Sequence, residues 1–253
     1  MSSRRRMMMA TTTRKASQIP LRDKIILSSG KKFVLMGRNL PGHPQDSMTL
    51  VGEHVYGKGK WEGEGFGIAY PPEYGAGNNH AQSYSSTDMH KTILPGYYNE
   101  LNGIEKNAII KWDVKYTSID IDDGDINYGT VNTHFYIPGL KEWSIGGANE
   151  DSHNRVINDG TPFGFASKAE RIKTTESGQK VKYFLRVFEC YDYVWKGDTS
   201  YFDSYLIDTA GNLSHESITQ NGSMTSYILP CCDIKGTTKC KKGADGYWRI
   251  VEK

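Results

Sequence analysis

Several groups of residues are dense enough in one chemistry to be weighed as sites. Asp120, Asp122, Asp123 and Asp125 with Gly124 are closely spaced carboxylates of the kind that wrap a hard cation such as calcium. The helix–loop–helix calcium pattern also needs a helix on each side and an acid at its twelfth position. Counting from Asp120, that position falls at Val131 or Asn132, and the flanks read as strands, so an Asp-Gly hairpin turn is the expectation. The segment GKGKWEGEGFG at 57–67 offers glycine amides near Lys58 and Lys60 that could cradle phosphate. It lacks the Walker spacing, leads into no helical pattern, and carries Glu62 and Glu64, which repel phosphate. The histidines at 43, 54, 80, 90, 134, 153 and 215 show no metal-ligand spacing, and Cys231, Cys232 and Cys240 lack an evident fourth zinc ligand. Surface or half-buried free thiols are expected, with Cys190 as a fourth and intermolecular disulfides left open. No G-x-S-x-G elbow is present, and Ser, His and Asp are too numerous to name a triad. A spatial pair of carboxylates for glycoside hydrolysis has no sequence signature either. No catalytic residue, metal site or required cofactor is assigned, and the chain is expected not to be an enzyme.

The elements that would position any site read as strands. Ile25–Leu27 and Phe33–Met36 flank Ser28-Ser29-Gly30 as a hairpin, and 39–45, with two prolines and a glycine, is loop. From 108 to 121, Ala108, Ile110, Trp112, Val114 and Tyr116 alternate with Lys111, Asp113, Lys115 and Thr117, predicting one buried and one wet face. Val131–Ile137 returns after the acidic turn. Val181, Tyr183, Leu185 and Val187 alternate with Lys182, Phe184, Arg186 and Phe188, a run apolar on both faces toward its end, as at the centre of a sandwich. Met224–Leu229 and Tyr247–Val251 are further strands. No fixed-period repeat or internal linker appears.

The 253 residues, 37% hydrophobic and 24% charged, with 27 Gly and 16 Tyr, fit one β-rich globular domain. The expected fold is mainly β, a jelly-roll-like antiparallel β-sandwich over 19–253 preceded by an arm over 1–18. That arm holds Arg4, Arg5, Arg6, Met7, Met8, Met9, Arg14 and Lys15; it reads as disordered, or as helical only on docking. Its methionines suit adaptable apolar contact, which favours protein docking over nucleic acid. A net charge of +2 adds no global pull toward nucleic acid or membrane. No apolar run is long enough to span a bilayer or form a signal-peptide core, so a cytosolic location is expected and the Asn212 and Asn221 sequons are read as chance.

Three passages carry a resemblance. Ile68-Ala69-Tyr70-Pro71 runs into a Gly/Asn/His-rich stretch to Ser83; Thr133-His134-Phe135-Tyr136-Ile137-Pro138 is followed by Trp143-Ser144-Ile145; and Val187-Phe188-Glu189-Cys190 leads toward Tyr201–Ile207. Together with the arm and the tyrosine content, these make the chain similar to the polyhedrins of cypoviruses over most of residues 20–230. The C-terminal CCDIKGTTKC segment has no counterpart there. The resemblance implies a jelly roll with an N-terminal helix, trimers packed into a crystal lattice around virus particles, and occlusion bodies in the cytoplasm of infected cells. It also leaves open a nucleotide bound between subunits, to which no residue is assigned.

A protective lattice of this kind is inert near neutrality and dissolves in alkali, where tyrosine and lysine lose protons. With 16 Tyr, 21 Lys and 10 Arg, the charge falls to roughly −30 near pH 11. Tyr97, Tyr98, Tyr191, Tyr193, Tyr201 and Tyr205 are the candidate pH-responsive contacts, with strand pairing or core packing as the competing reading. Two other functions fit the same features: an icosahedral capsid protein with a nucleic-acid-binding arm, and a glycan-binding or glycan-cleaving sandwich using Trp61, Trp143 or Trp195 as stacking platforms.

Overall fold

The computed structural model describes residues 13–60, 84, 87–120, 126–145, 157–191, 201–219 and 225–252. Of residues 60, 118–120, 126–127, 188–191, 201–203 and 216–219 it describes the backbone alone. The calcium-like acidic turn at 122–125, most of the glycine-rich segment, Trp61, Trp195, Tyr193 and Arg4–Met9 lie outside the described residues.

The chain is mainly β. The first sheet holds β1 (Thr13–Lys15), β2 (Lys24–Ile26), β3 (Lys32–Arg38), β4 (Ser47–Gly52), β8 (Phe135–Tyr136), β13 (Cys231–Lys235), β14 (Lys239–Lys242) and β15 (Trp248–Ile250), in the order β1-β14-β15-β2-β3-β4-β13-β8. The second holds β5 (Lys58–Lys60), β6 (Trp112–Asp120), β7 (Ile126–Thr133), β9 (Tyr183–Tyr191), β10 (Tyr201–Ile207), β11 (Leu213–Thr219) and β12 (Thr225–Tyr227). Its spine runs β11-β10-β9-β12-β5, with β6 joining β9 to β7. Most pairs are antiparallel as expected. Three are parallel, β15 with β2, β12 with β9, and β6 with β9, so both sheets are mixed.

The local reasons are legible. The β2–β3 hairpin closes at Ser28–Gly30, where Gly30 takes φ +84°, a left-handed conformation that costs glycine little. β4 is buried along its whole length because it lies between β3 and β13 in the sheet and is covered on both faces. β9 is likewise central, and Tyr183, Phe184, Leu185, Arg186 and Val187 are all buried.

Three expectations are revised. The strand predicted from Ala108 begins at Trp112. Before it come two short helices, α1 (Leu94–Asn99) and α2 (Gly103–Ala108), the second capped by the Asn102 side chain accepting from the Glu105 N–H at 3.0 Å. The arm is shorter than predicted. Thr13–Lys15, including Arg14 and Lys15, is strand β1 paired with β14, and Ala16 is fully buried, so residues 13–18 belong to the domain. Cys231, Cys232 and Cys240 are free and fully buried rather than surface or half-buried thiols, because β13 is covered on both faces and Cys240 points into the core.

Candidate functional site

The first sheet and the loop after β3 build the deepest polar cluster. Thr49 on β4 and Asp233 on β13 are direct register partners, and the Thr49 hydroxyl donates to Asp233 Oδ1 at 2.7 Å. From β8, the Tyr136 hydroxyl donates to Asp233 Oδ2 at 3.1 Å. The loop between β3 and β4 turns at Leu40–His43, with the His43 N–H donating to the Leu40 carbonyl. That turn brings His43 Nδ1 to 3.1 Å from Asp233 Oδ1. A carboxylate can only accept, so Nδ1 carries the proton and Nε2 is the free ring nitrogen.

Beside this pair, β9 delivers Arg186. Its Nε donates to the Lys115 carbonyl at 2.6 Å and Nη1 to the Ile137 carbonyl at 2.7 Å. Nη1 and Nη2 grip Glu142 at 2.7 and 2.6 Å, and Nη2 also reaches the Asp159 carbonyl at 2.7 Å. All five guanidinium donors are therefore spent inside the protein. Glu142 also accepts from the Gly139 N–H at 3.0 Å, and the Asp159 carboxylate accepts from the Leu140 and Lys141 N–H groups at 2.9 Å each. Glycine is required at two positions by these approaches. A Cβ on Gly139 would overlap the Asp159 carboxylate, and one on Gly160 would sit 2.7 Å from Glu142 Cγ.

The electrostatics follow from enclosure. Burial alone would lower the His43 pKa, but the hydrogen bond and charge of Asp233, with the charge of Glu142, outweigh it against Arg186 and hold the imidazole above its ordinary value. Burial, with Glu142 nearby, holds the Asp159 carboxyl above the usual range despite Arg186 and the two backbone donors. Burial opposes the charge on Arg186, but Glu142 and Asp159 keep it protonated more firmly than a free guanidinium.

A cleft of about 320 Å³ opens over this cluster, lined among others by His43, Trp112, Asp113, Lys115, Glu142 and Asn158. The Trp112 ring lies against His43 with centroids 4.7 Å apart and stands edge-on to Tyr136 at 5.7 Å. Two buried nitrogens at the cleft have no hydrogen-bond partner among the described residues, His43 Nε2 and Trp112 Nε1. The nearest acidic atom to Nε2 is Glu142 Oε1, at 3.9 Å. Among the described residues no cluster of His, Cys, Asp or Glu has metal-ligating geometry.

The tyrosines chosen from the sequence are dispersed. Tyr97 is 7% exposed and Tyr205 3%, so both rings pack into their own chain, the core-packing alternative to their reading as contacts. Tyr98 is half-buried and stacks on His134 with centroids 3.7 Å apart. The register sets Tyr201 opposite Tyr191 across β10 and β9. Trp143 is fully buried edge-on to Phe163 and is no stacking platform.

The residues the sequence did not reveal are His43, Glu142, Asp159, Arg186 and Asp233. They come from five separate segments, so no spacing links them. One signal was present: Arg186 stands in a run that is apolar on both faces, where a charge must be buried and paired. No family model, characterised protein or solved structure matches this chain.

Proposed function

We propose that this chain is a self-assembling structural protein of the polyhedrin kind, forming a crystalline matrix of trimers around virus particles in the cytoplasm of the producing cell. It releases them in alkali and catalyses no reaction. The observation that carries the alkaline half of this reading is the store of neutral acids in the interior. Tyr84, Tyr136 and Tyr183 are fully buried, Tyr97 and Tyr56 nearly so, and Cys231, Cys232 and Cys240 are fully buried. Burial raises the pKa of every one of these phenols and thiols, that of Cys240 to about 12.

The linkage has a definite sign. Each group is held protonated in the fold above its unfolded value. Its contribution is fully present below the unfolded pKa, about 8.5 for thiols and 10 for phenols, and is lost as pH climbs through the raised folded values. The fold is therefore inert near neutrality and fails in alkali. On this reading the switch lies in the interior of each copy, with the surface charge change from Lys and exposed Tyr acting alongside it.

Support for assembly is of two kinds. The quoted passages resemble polyhedrins. In addition, β1 stands at the end of its sheet, paired only with β14 among the described strands, and all three of its residues are exposed. The basic, methionine-rich residues before it thus join the domain at a sheet edge, where an arm can reach a neighbouring copy. The jelly-roll connectivity and the trimer belong to this proposal.

The test is expression of the full chain in insect cells. Refractile cytoplasmic crystals that dissolve in alkali are expected, and deletion of residues 1–12 should abolish them. A dilute monomer under all conditions would overturn the reading. Packaged nucleic acid in closed shells would replace it with the capsid alternative.

A further inference from the structure

We infer that the cleft over His43 and Trp112 is a binding site for a small neutral polyhydroxy compound, of the size and class of a monosaccharide. The inference stands apart from self-assembly and rests on the donors and acceptors left over once the protein has satisfied itself.

The floor of the cleft is closed to anions. Arg186 has no donor to spare, and among the described lining residues three carboxylates, Asp113, Glu142 and Asp159, stand with Arg186, Lys115 and the Asp233-paired His43. A phosphate or nucleotide would meet more carboxylate than cation there. Lys115 itself lies 4.0 Å over the Tyr128 ring. A nucleotide, which the polyhedrin resemblance left open, therefore has no place in this cleft.

The unsatisfied groups ask for hydroxyls. Trp112 Nε1–H is a donor only and needs an acceptor. Asp113, a lining residue whose Oδ1 accepts from Asn132 at 2.7 Å, is exposed, so its remaining acceptor capacity is met by water and is open to a ligand hydroxyl. His43, with 2% of its side chain exposed, has its Nδ1 occupied by Asp233, so Nε2 accepts in the neutral ring and donates in the charged one. A hydroxyl alone serves all three, because it donates and accepts and serves Nε2 in either protonation state. A carbonyl serves only the donors, and an ammonium only the acceptor. The volume of about 320 Å³ suits a single sugar ring, and the partly buried Trp112 indole supplies an apolar wall for it.

The test is titration of the full-length chain with glucose, galactose, mannose, xylose and glycerol, with inorganic phosphate and AMP as controls. The readout is the Trp112 indole N–H resonance, identified by its absence in Trp112→Phe. At least one sugar should move that resonance saturably while phosphate and AMP do not. Trp112→Phe and Asp113→Asn should each weaken binding about tenfold, and Asp113→Asn should leave thermal melting unchanged. Asp113 is exposed, so its variant keeps the test valid if Trp112→Phe unfolds. Where the chain is recovered only as in-cell crystals, the same sugars are soaked in and ordered density against Trp112 and His43 is the readout. No response to any sugar, an equal or larger response to phosphate, or undiminished affinity in both variants would overturn the site. Neither readout depends on whether crystals form in cells, so failure here leaves the assembly reading untouched.

Discussion

Two buried regions of this protein meet the same low-dielectric interior with opposite solutions. Around Arg186, charge is buried with its counter-charge: one guanidinium, its bidentate Glu142, and Asp159 pinned by backbone N–H groups. Around β9 and β13, acids are buried uncharged, as the phenols of Tyr84 and Tyr183 and the thiols of Cys231 and Cys232. Glu142 and Asp159 hold Arg186 protonated, so the first region keeps its cation in alkali. The second costs little near neutrality and becomes a liability as pH rises, since each phenolate or thiolate formed there is cut off from water. The proposed alkaline release would then start in particular parts of the interior.

The comparison is broken most severely at Arg186. Arg186→Met leaves Glu142 and the Asp159 site without their cation, and should cost about 3–5 kcal/mol in urea unfolding at pH 7. A loss below about 1 kcal/mol would show that the charged cluster contributes only what exposed ion pairs do. Next is Gly139→Ala, whose new methyl must displace the Asp159 carboxylate; about 1–3 kcal/mol is expected by the same measurement.

Tyr183→Phe sharpens the contrast. The hydroxyl donates to the Arg171 carbonyl at 2.9 Å, so the variant should lose about 1 kcal/mol near neutrality. It also lacks a phenol whose pKa burial raises well above the usual value, so its unfolding midpoint on an alkaline titration should shift upward. Stability curves of variant and parent against pH should therefore converge above about pH 10 and cross about one unit higher. Curves that stay parallel would count against the interior switch. At the small end, the Asp245–Arg249 pair is exposed on both sides, and Arg249→Ala should leave thermal melting unchanged.

Much of the fold is legible in the sequence, and the polar cluster is not. The β2–β3 hairpin and the doubly buried β9 follow from alternation and a turn glycine, signals confined to a dozen residues. The helices before β6 escape because each is only six residues long. The first contains Pro95 and Gly96, residue types that favour loops, and the second is marked only by Asn102 followed by Glu105, a capping pattern. The cluster is invisible for a different reason. His43 and Asp233 are 190 positions apart and meet only because β4 and β13 are neighbours with Thr49 opposite Asp233. Tyrosine count, likewise, carries no information on placement: Tyr97 lies in the core, its hydroxyl donating to the Tyr56 carbonyl.

The most direct test follows three signals on one alkaline titration of in-cell crystals: dissolution, far-ultraviolet β-structure, and phenolate absorbance. The account predicts that phenolate from the enclosed tyrosines appears only as β-structure is lost, at the pH where the crystals dissolve. Crystals that dissolve into folded protein with those phenols still protonated would contradict it and return the switch to the surfaces between copies.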